Sequence, residues 1–96
     1  MYYVYVLQSE KDSLLYIGFT EHLESRILRH QNGESASTKF RRPLKLIFYE
    51  AYFEKEDALR REKYFKTTKG KAALKVMLKG YFSRVVSNRF ISSKSP

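Results

Sequence analysis

The chain opens with two β-prone segments that stand close together in sequence. Residues 2–8 and 14–19 are rich in β-branched and aromatic side chains, and the polar stretch 9–13 separates them. Two such segments joined by a short polar loop form an antiparallel hairpin. If the hairpin is symmetric about positions 10 and 11, Tyr5 directly faces Tyr16 across the ladder.

The remaining residues alternate between helical and extended patterns. Thr20 is a suitable N-cap, Gly33 a suitable helix exit, and the acidic residues from Glu54 onward suit the first turn of another helix. The predicted elements are a helix over 21–32, a polar loop over 33–43, a strand over 44–52, and helices over 54–66 and 70–79. The order β-β-α-β-α-α predicts an α+β domain, a small antiparallel sheet covered by helices.

Length and composition narrow the class of protein. The 96 residues suffice for one domain, predicted over 1–82, and the basic, Ser-rich residues 83–96 are predicted to be a disordered tail. The absence of Cys excludes disulfides, thiolate metal sites and cysteine nucleophiles, so any metal would be a hard cation held by oxygen. No apolar run is long enough to span a membrane and no signal peptide is recognisable, so we expect a soluble, cytoplasmic protein without a membrane partner.

Positive charge is concentrated in the last third of the chain. Residues 1–62 hold ten basic and ten acidic side chains, whereas residues 63–96 hold nine basic side chains and no acidic one. A segment of one sign favours a polyanionic partner, because each neutralised phosphate releases bound counterions. A basic solubilising face, or adhesion to ribosomes or membrane surfaces, would give the same pattern.

Two polar residues share the sheet-facing side of the first predicted helix. Leu23, Arg26, Ile27 and His30 are spaced by three and four residues and therefore lie on one face. Leu23 and Ile27 should point at the sheet, which brings Arg26 and His30 to its edge. The structural alternative is an arginine whose stem packs while its charge reaches water, beside a buried, hydrogen-bonded histidine.

Glu62 interrupts the apolar stripe of the second predicted helix. Ala58, Leu59 and Phe65 form this stripe, and Glu62 lies in its middle. A buried carboxylate without a partner is unfavourable or takes up a proton, so Glu62 needs a cation. A metal ion and the guanidinium of Arg26 meet this need equally well.

Together these residues are of the types that phosphodiester hydrolysis requires. The reaction needs an oxygen-liganded cation, a positive charge for the pentavalent phosphate and a base that activates water. A tyrosine can be the base only if a neighbour stabilises its phenolate. Taken alone, Tyr5 and Tyr16 are more simply explained as a cross-strand aromatic pair.

The order and spacing of these residues resemble the GIY-YIG nuclease superfamily. The tripeptides Tyr-Val-Tyr at 3–5 and Tyr-Ile-Gly at 16–18 resemble its paired signature, and the Arg-x-x-x-His pattern of Arg26 and His30 follows ten positions after the second tyrosine. The stretch around Glu62 resembles the segment that carries the family's metal-binding glutamate. Residues 1–82 are similar to the small stand-alone bacterial members, including the Ser-Thr-Lys tripeptide at 37–39.

This resemblance implies a three-stranded antiparallel sheet flanked by helices and metal-dependent hydrolysis of a DNA phosphodiester. It implies that Glu62 ligates one divalent cation, Mg²⁺ or Mn²⁺, and that Arg26 stabilises the transition-state phosphate. Tyr5 and Tyr16 would supply the base and orient the attacking water, in an order left open, and His30 would tune a tyrosine or transfer a proton. These five side chains are expected to converge on one partly open surface. The residues expected to contact nucleic acid around it are Lys39, Arg41, Arg42, Lys66, Lys69, Lys71 and Lys75.

Three positions depart from the family pattern. Tyr3 replaces the first glycine, a change that small members tolerate, and Phe19 stands where some repair nucleases of the family carry a lysine. Val76 occupies the place of a late asparagine seen in many members. These departures remove contacts around the site and leave its five central residues in place.

Three functions compete for this sequence. The leading hypothesis is a structure-guided or weakly specific DNA endonuclease acting in DNA repair or processing, without a small-molecule cofactor. The alternative is a non-catalytic nucleic-acid-binding module that retains the fold, and the third is a protein-interaction domain with a basic face. Retention of all five inward polar residues argues against the alternative, because each destabilises a small core unless it serves a function. The interaction domain leaves Glu62 unexplained.

Overall fold

Apolar and aromatic side chains build a three-stranded antiparallel sheet with the first strand at its centre. In the computed structural model, which describes residues 1–85, the strands are β1 (Tyr2–Ser9), β2 (Leu15–Thr20) and β3 (Leu44–Tyr52). Their order is β2-β1-β3, and both neighbours run antiparallel to β1. Four consecutive residues of β1, Val4–Leu7, are buried because this strand is covered on both faces.

The helices follow in the predicted order, which confirms the α+β fold class. They are α1 (Leu23–Gln31), α2 (Lys55–Phe65) and α3 (Thr68–Met77), with a single turn of 3₁₀ helix at Lys39–Arg41 inside the 33–43 loop. The Thr20 hydroxyl accepts a hydrogen bond from the His22 N–H just before α1. Gly33 ends α1 with a φ of 77°, a conformation that favours glycine.

The register of the hairpin differs from the predicted one by two residues. Tyr5 pairs with Gly18 instead of Tyr16, and Tyr16 pairs with Leu7. A shift of two residues preserves the face to which each side chain points. Tyr5 and Tyr16 are therefore diagonal neighbours on one face, with ring centroids 6.3 Å apart.

The hairpin loop explains this difference. The Ser9 N–H donates to the Leu14 carbonyl at 3.0 Å, so the loop holds residues 10–13 and its centre lies between 11 and 12, one position later than predicted. The Ser9 hydroxyl accepts from the N–H groups of Lys11 and Asp12, and Ser13 adopts a φ of 64° that completes the tighter turn. Ser9 was predicted to lie in the loop, but it is the last residue of β1.

The two faces of the sheet have different neighbours. On one face Tyr5 and Leu7 form a cluster with Ile27 of α1 and Leu44 of β3. Val4 projects to the other face, and so does Glu50, its partner on β3. The register of this pairing shifts between Val6 and Leu7, whose partners on β3 are Phe48 and Leu46.

The chain divides into two compact units, Met1–Tyr64 and a second that begins at Phe65. In the second unit, Thr67 caps α3 by accepting a hydrogen bond from the Gly70 N–H at 3.0 Å.

The third helix was predicted to end at Gly80, yet residues 79–85 are helical, because Gly80 does not adopt the left-handed φ of a helix exit. Residues 83–85 of the predicted tail belong to this helix, and 86–96 lie outside the described residues. Within residues 1–85, no helix has the length and apolar character needed to cross a membrane.

Candidate active site

The phenol of Tyr5 is buried beneath the hairpin, and the glycine opposite makes room for it. Tyr5 is 1% exposed, and its ring lies over Gly18, its partner on β2. A Cβ at position 18 would overlap the ring and hydroxyl of Tyr5. The glycine of the second tripeptide therefore leaves the space that the tyrosine of the first tripeptide fills. This dependence explains why the two motifs occur together.

Helix α1 brings Arg26 and His30 to the Tyr5 hydroxyl, as their shared helix face predicted. The His30 Nε2 lies 2.8 Å from the Tyr5 Oη. The Arg26 Nε donates to the same oxygen at 3.4 Å. Ile27 is buried between them on this face, while Leu28 and Arg29 are exposed on the other. The amphipathic pattern of α1 thus positions both polar groups.

Thr38 also belongs to this cluster, although no periodic pattern in the sequence indicates it. Its Oγ1 lies 2.7 Å from the His30 Nδ1, and both residues are 0% exposed. Thr38 is in the irregular loop before β3, where neither helical nor strand periodicity reveals a buried side chain. The resemblance at residues 37–39 was the one signal that pointed to it.

Tyr16 supplies the more accessible of the two phenols. It is half-buried on β2. The centroids of its ring and of the His30 ring lie 5.0 Å apart, and the two ring planes meet at 60°. Arg26 is half-buried as well. Hydrogen bonding to the Tyr5 and Tyr16 hydroxyls favours the charged form of its guanidinium. Arg26 and Tyr16 therefore form the open side of a cluster whose closed side is Tyr5 and His30.

The charges in this cluster follow from burial. Burial raises the pKa of the Tyr5 phenol above its ordinary value, and the hydrogen bond from Arg26 partly offsets this effect. Hydrogen bonding to Tyr5 raises the pKa of Arg26, which keeps it cationic. Burial, together with the charges of Arg26 and Arg29, lowers the pKa of His30 to about 4, so this imidazole is neutral at pH 7. A neutral imidazole and two phenols thus surround one permanent cation, an arrangement suited to binding an anion such as phosphate.

Glu62, the fifth predicted residue, lies on α2. It is half-buried, and Ala58 and Phe65, the neighbours on its side of the helix, are both buried as predicted. Leu59 was assigned wrongly to this stripe: it is 39% exposed, since it lies about 100° around the helix from Ala58.

The residue before Glu62 ties α2 to β3. The Arg61 guanidinium donates to both carboxylate oxygens of Glu50, at 2.9 and 3.2 Å, and the Tyr52 hydroxyl donates to the first of these at 2.6 Å. Glu50 projects to the sheet face opposite Tyr5. The structure thus brings four of the five predicted residues together, and the convergence of Glu62 with them stays a prediction.

Residues 1–85 contain no group of three or more His, Cys, Asp or Glu side chains placed to hold a metal ion together. Mg²⁺ is often held by one or two carboxylates, with water and substrate phosphate completing its coordination. A half-buried glutamate such as Glu62 fits that mode of binding.

The predicted nucleic-acid contacts differ in how exposed their side chains are. Lys39 is exposed, with its Nζ 4.9 Å from the centre of the Phe40 ring. Arg41 is half-buried beside Asp12, 3.6 Å away, and the exposed Arg42 donates to the Lys39 carbonyl at 3.0 Å. In the second unit the predicted residues are all exposed: Lys66, Lys69, Lys71 and Lys75.

Comparison with known proteins agrees with this geometry. Residues 1–75 match the GIY-YIG catalytic domain. A UPF0213 protein of Staphylococcus saprophyticus is 39% identical over 80 residues, which cover 82% of this chain and 96% of that protein. A UPF0213 protein of Clostridium perfringens is 46% identical over 67 residues, covering 69% and 71% of the two chains.

A solved structure shows the same fold. The solution NMR structure of a UPF0213 protein from Bacillus halodurans is 36% identical and aligns with a TM-score of 0.52, covering 83% of this chain and 87% of that one. The paired tripeptides, the cluster beneath them and these relatives lead to one assignment: the chain belongs to the GIY-YIG family, in a nuclease-type superfamily that acts on nucleic acids, and within it to the small UPF0213 proteins.

Proposed function

We propose that this protein is a metal-dependent endonuclease that hydrolyses DNA phosphodiester bonds, guided by DNA structure or with weak sequence preference. The observation that carries the proposal is the contact of Arg26 and His30 with the hydroxyl of the buried Tyr5. It occurs in a chain whose residues 1–75 match the GIY-YIG catalytic domain. We place it in the processing or repair of DNA in the cytoplasm.

Each residue of the cluster has a distinct task in this proposal. Arg26 binds the scissile phosphate and stabilises the charge that develops on it, since its guanidinium is permanently charged and partly accessible. Tyr16, on the open side, orients the attacking water, and one of the two phenols takes its proton. His30 holds the Tyr5 hydroxyl in place.

Glu62 is assigned the divalent cation, Mg²⁺ or Mn²⁺. A bound cation would stabilise negative charge on the phosphate and make water a better nucleophile. Glu62 contributes one carboxylate and leaves the remaining positions to water and phosphate oxygens. The exposed lysines at 39, 66, 69, 71 and 75 would hold the DNA backbone.

The test is a cleavage assay with the purified chain on duplex, nicked, single-stranded and branched DNA. We expect cleavage with Mg²⁺ or Mn²⁺, none with EDTA, and none by Glu62→Gln. Binding of the same DNA without cleavage by the wild type in either metal would support the non-catalytic module instead. Absence of both binding and cleavage would refute both functions.

A further inference from the structure

Thr38, His30 and Tyr5 form a buried chain of hydrogen bonds, which we call the Thr38 relay. Its two links measure 2.7 Å, between Thr38 Oγ1 and His30 Nδ1, and 2.8 Å, between His30 Nε2 and Tyr5 Oη. A neutral imidazole has one N–H donor and one acceptor nitrogen, so the direction of one link fixes the direction of the other.

The surroundings of Thr38 determine this direction. Among the described residues, the hydroxyl of Thr38 has one side-chain hydrogen-bond partner, the His30 Nδ1, and the residue is 0% exposed. If the imidazole donated to Thr38, the hydroxyl proton would be buried without an acceptor, which is costly. If the hydroxyl donates to Nδ1, the imidazole donates from Nε2 to Tyr5, and the Tyr5 hydroxyl proton turns to Tyr16, which is also a hydrogen-bond partner of Tyr5.

We propose that Thr38 is a positioning residue that holds His30 in the Nε2–H tautomer and so makes it a hydrogen-bond donor to Tyr5. The Tyr5 oxygen then accepts two N–H groups, one from His30 and one from Arg26. Its own proton is directed away from the relay, towards the side where Tyr16 lies.

The consequence concerns the charge that the Tyr5 oxygen can carry. Two N–H donors aimed at a phenol oxygen favour its ionised form over the neutral one, and oppose the effect of burial. This role deepens the proposed function, since a tyrosine that takes part in proton transfer needs such donors, but the tautomer itself exists with or without cleavage.

The first experiment measures the His30 tautomer directly by ¹⁵N NMR of the imidazoles in the chain without DNA at pH 7. The chain has two histidines. The variant His22→Gln, which changes the exposed one, assigns the His30 signals. Protonation at Nε2, with an unprotonated Nδ1, is the expected result. Protonation at Nδ1 would overturn the proposal.

The second experiment removes only the hydroxyl. In Thr38→Val, which keeps the shape of the side chain, the ¹⁵N signal of Nδ1 should move to that of a nitrogen without a donor. Thr38→Ser, which keeps the hydroxyl, should leave the signal in place. Identical Nδ1 signals in the wild type and Thr38→Val would show that Thr38 merely packs, and would overturn the proposal.

The third experiment measures cleavage kinetics in the same variants. Thr38→Val should lower kcat by about fivefold to tenfold, the worth of one hydrogen bond between uncharged groups, with KM unchanged. Thr38→Ser should retain the wild-type kcat within about threefold. A wild-type kcat in Thr38→Val would remove the relay from catalysis. A wild type that cleaves nothing refutes the proposed function, whereas the tautomer is decided by the NMR data alone.

Discussion

Tyr5 and Gly18 face each other across the first two strands, and the ring of the tyrosine occupies the space that any side chain at position 18 would need. This relationship connects the two tripeptides that identify the family. It also ties the hairpin register to the site, because only this pairing puts a glycine opposite the phenol that contacts Arg26 and His30.

Gly18→Ala should therefore destabilise the fold by about 1–3 kcal/mol, as overpacking of a close-packed core usually does. Urea denaturation measures this loss, and the His30 imidazole signals should shift because the Tyr5 hydroxyl moves. Gly80→Ala is the matched control. Gly80 lies in helical residues with no atom near its Cβ position, so alanine there should be neutral or stabilising by up to about 1 kcal/mol. Equal stability of Gly18→Ala and the wild type would contradict the packing described here.

Arg26→Ala should slow cleavage by at least about 100-fold, since the guanidinium is assigned to the charge that develops on the phosphate. Arg29→Ala, which removes the same charge from the exposed side of α1, is the control and should lose less than about threefold. Single-turnover rates on one DNA substrate compare the two. Similar rates for both variants would mean that Arg26 acts only through net charge.

Glu62→Gln should abolish Mg²⁺-dependent cleavage and leave the chain folded, because the amide keeps the shape of the carboxylate and loses its charge. Glu56→Gln, on the exposed part of α2, is the control and should retain activity. Circular dichroism checks the fold in both. Unfolding of Glu62→Gln would favour a structural ion pair over a metal ligand.

Stability should depend on pH through His30. Its pKa is about 4 in the folded chain and about 6.5 in the unfolded one, so the unfolded chain binds more protons between these values. The stabilisation is complete above about pH 6.5, is lost as pH falls towards 4, and amounts to about 3 kcal/mol. The free energy of unfolding, measured in urea from pH 4 to pH 7.5, should fall less steeply with acidification in His30→Gln than in the wild type. His22→Gln should follow the wild type. Equal slopes for all three would show that His30 titrates normally in the fold.

DNA binding should weaken steeply with salt, and the double variant Lys71→Ala/Lys75→Ala should reduce the slope of log K against log salt by about 1.8 if each lysine contacts one phosphate. Lys45→Ala/Lys55→Ala removes equal charge from exposed positions in the first unit. Fluorescence anisotropy at several salt concentrations gives both slopes. If the control variant loses as much slope as the test variant, the DNA does not prefer the second unit.

The sequence predicted the elements that depend on periodicity and failed where a loop sets the geometry. The bounds of β3 and the shared face of Arg26 and His30 followed from alternation and helical spacing. The hairpin register did not, because a serine that caps a turn with its hydroxyl is indistinguishable in composition from one inside the loop. Thr38 was missed for the same reason, since a buried residue in an irregular loop has no period.

The tertiary contacts of α2 were also beyond the sequence. The stripe of Ala58 and Phe65 placed Glu62 on the inner side of its helix, and both apolar residues are buried as expected. The pattern gave no indication that Arg61 would bind Glu50, because that contact depends on which sheet face the helix covers.

The four-residue hairpin loop also has a consequence for how this protein can vary. Ser9 donates its hydroxyl to the Arg41 carbonyl at 2.6 Å, and the Glu10 N–H donates to the Pro43 carbonyl at 2.8 Å. Hairpin tips are usually where a polypeptide is lengthened with least harm. These two hydrogen bonds tie the hairpin tip to the segment that follows Thr38. One residue inserted at 10–13 would therefore displace that segment and, through Thr38, the imidazole of His30. Natural length variation, and any engineered tag or graft, should therefore be confined to other connections.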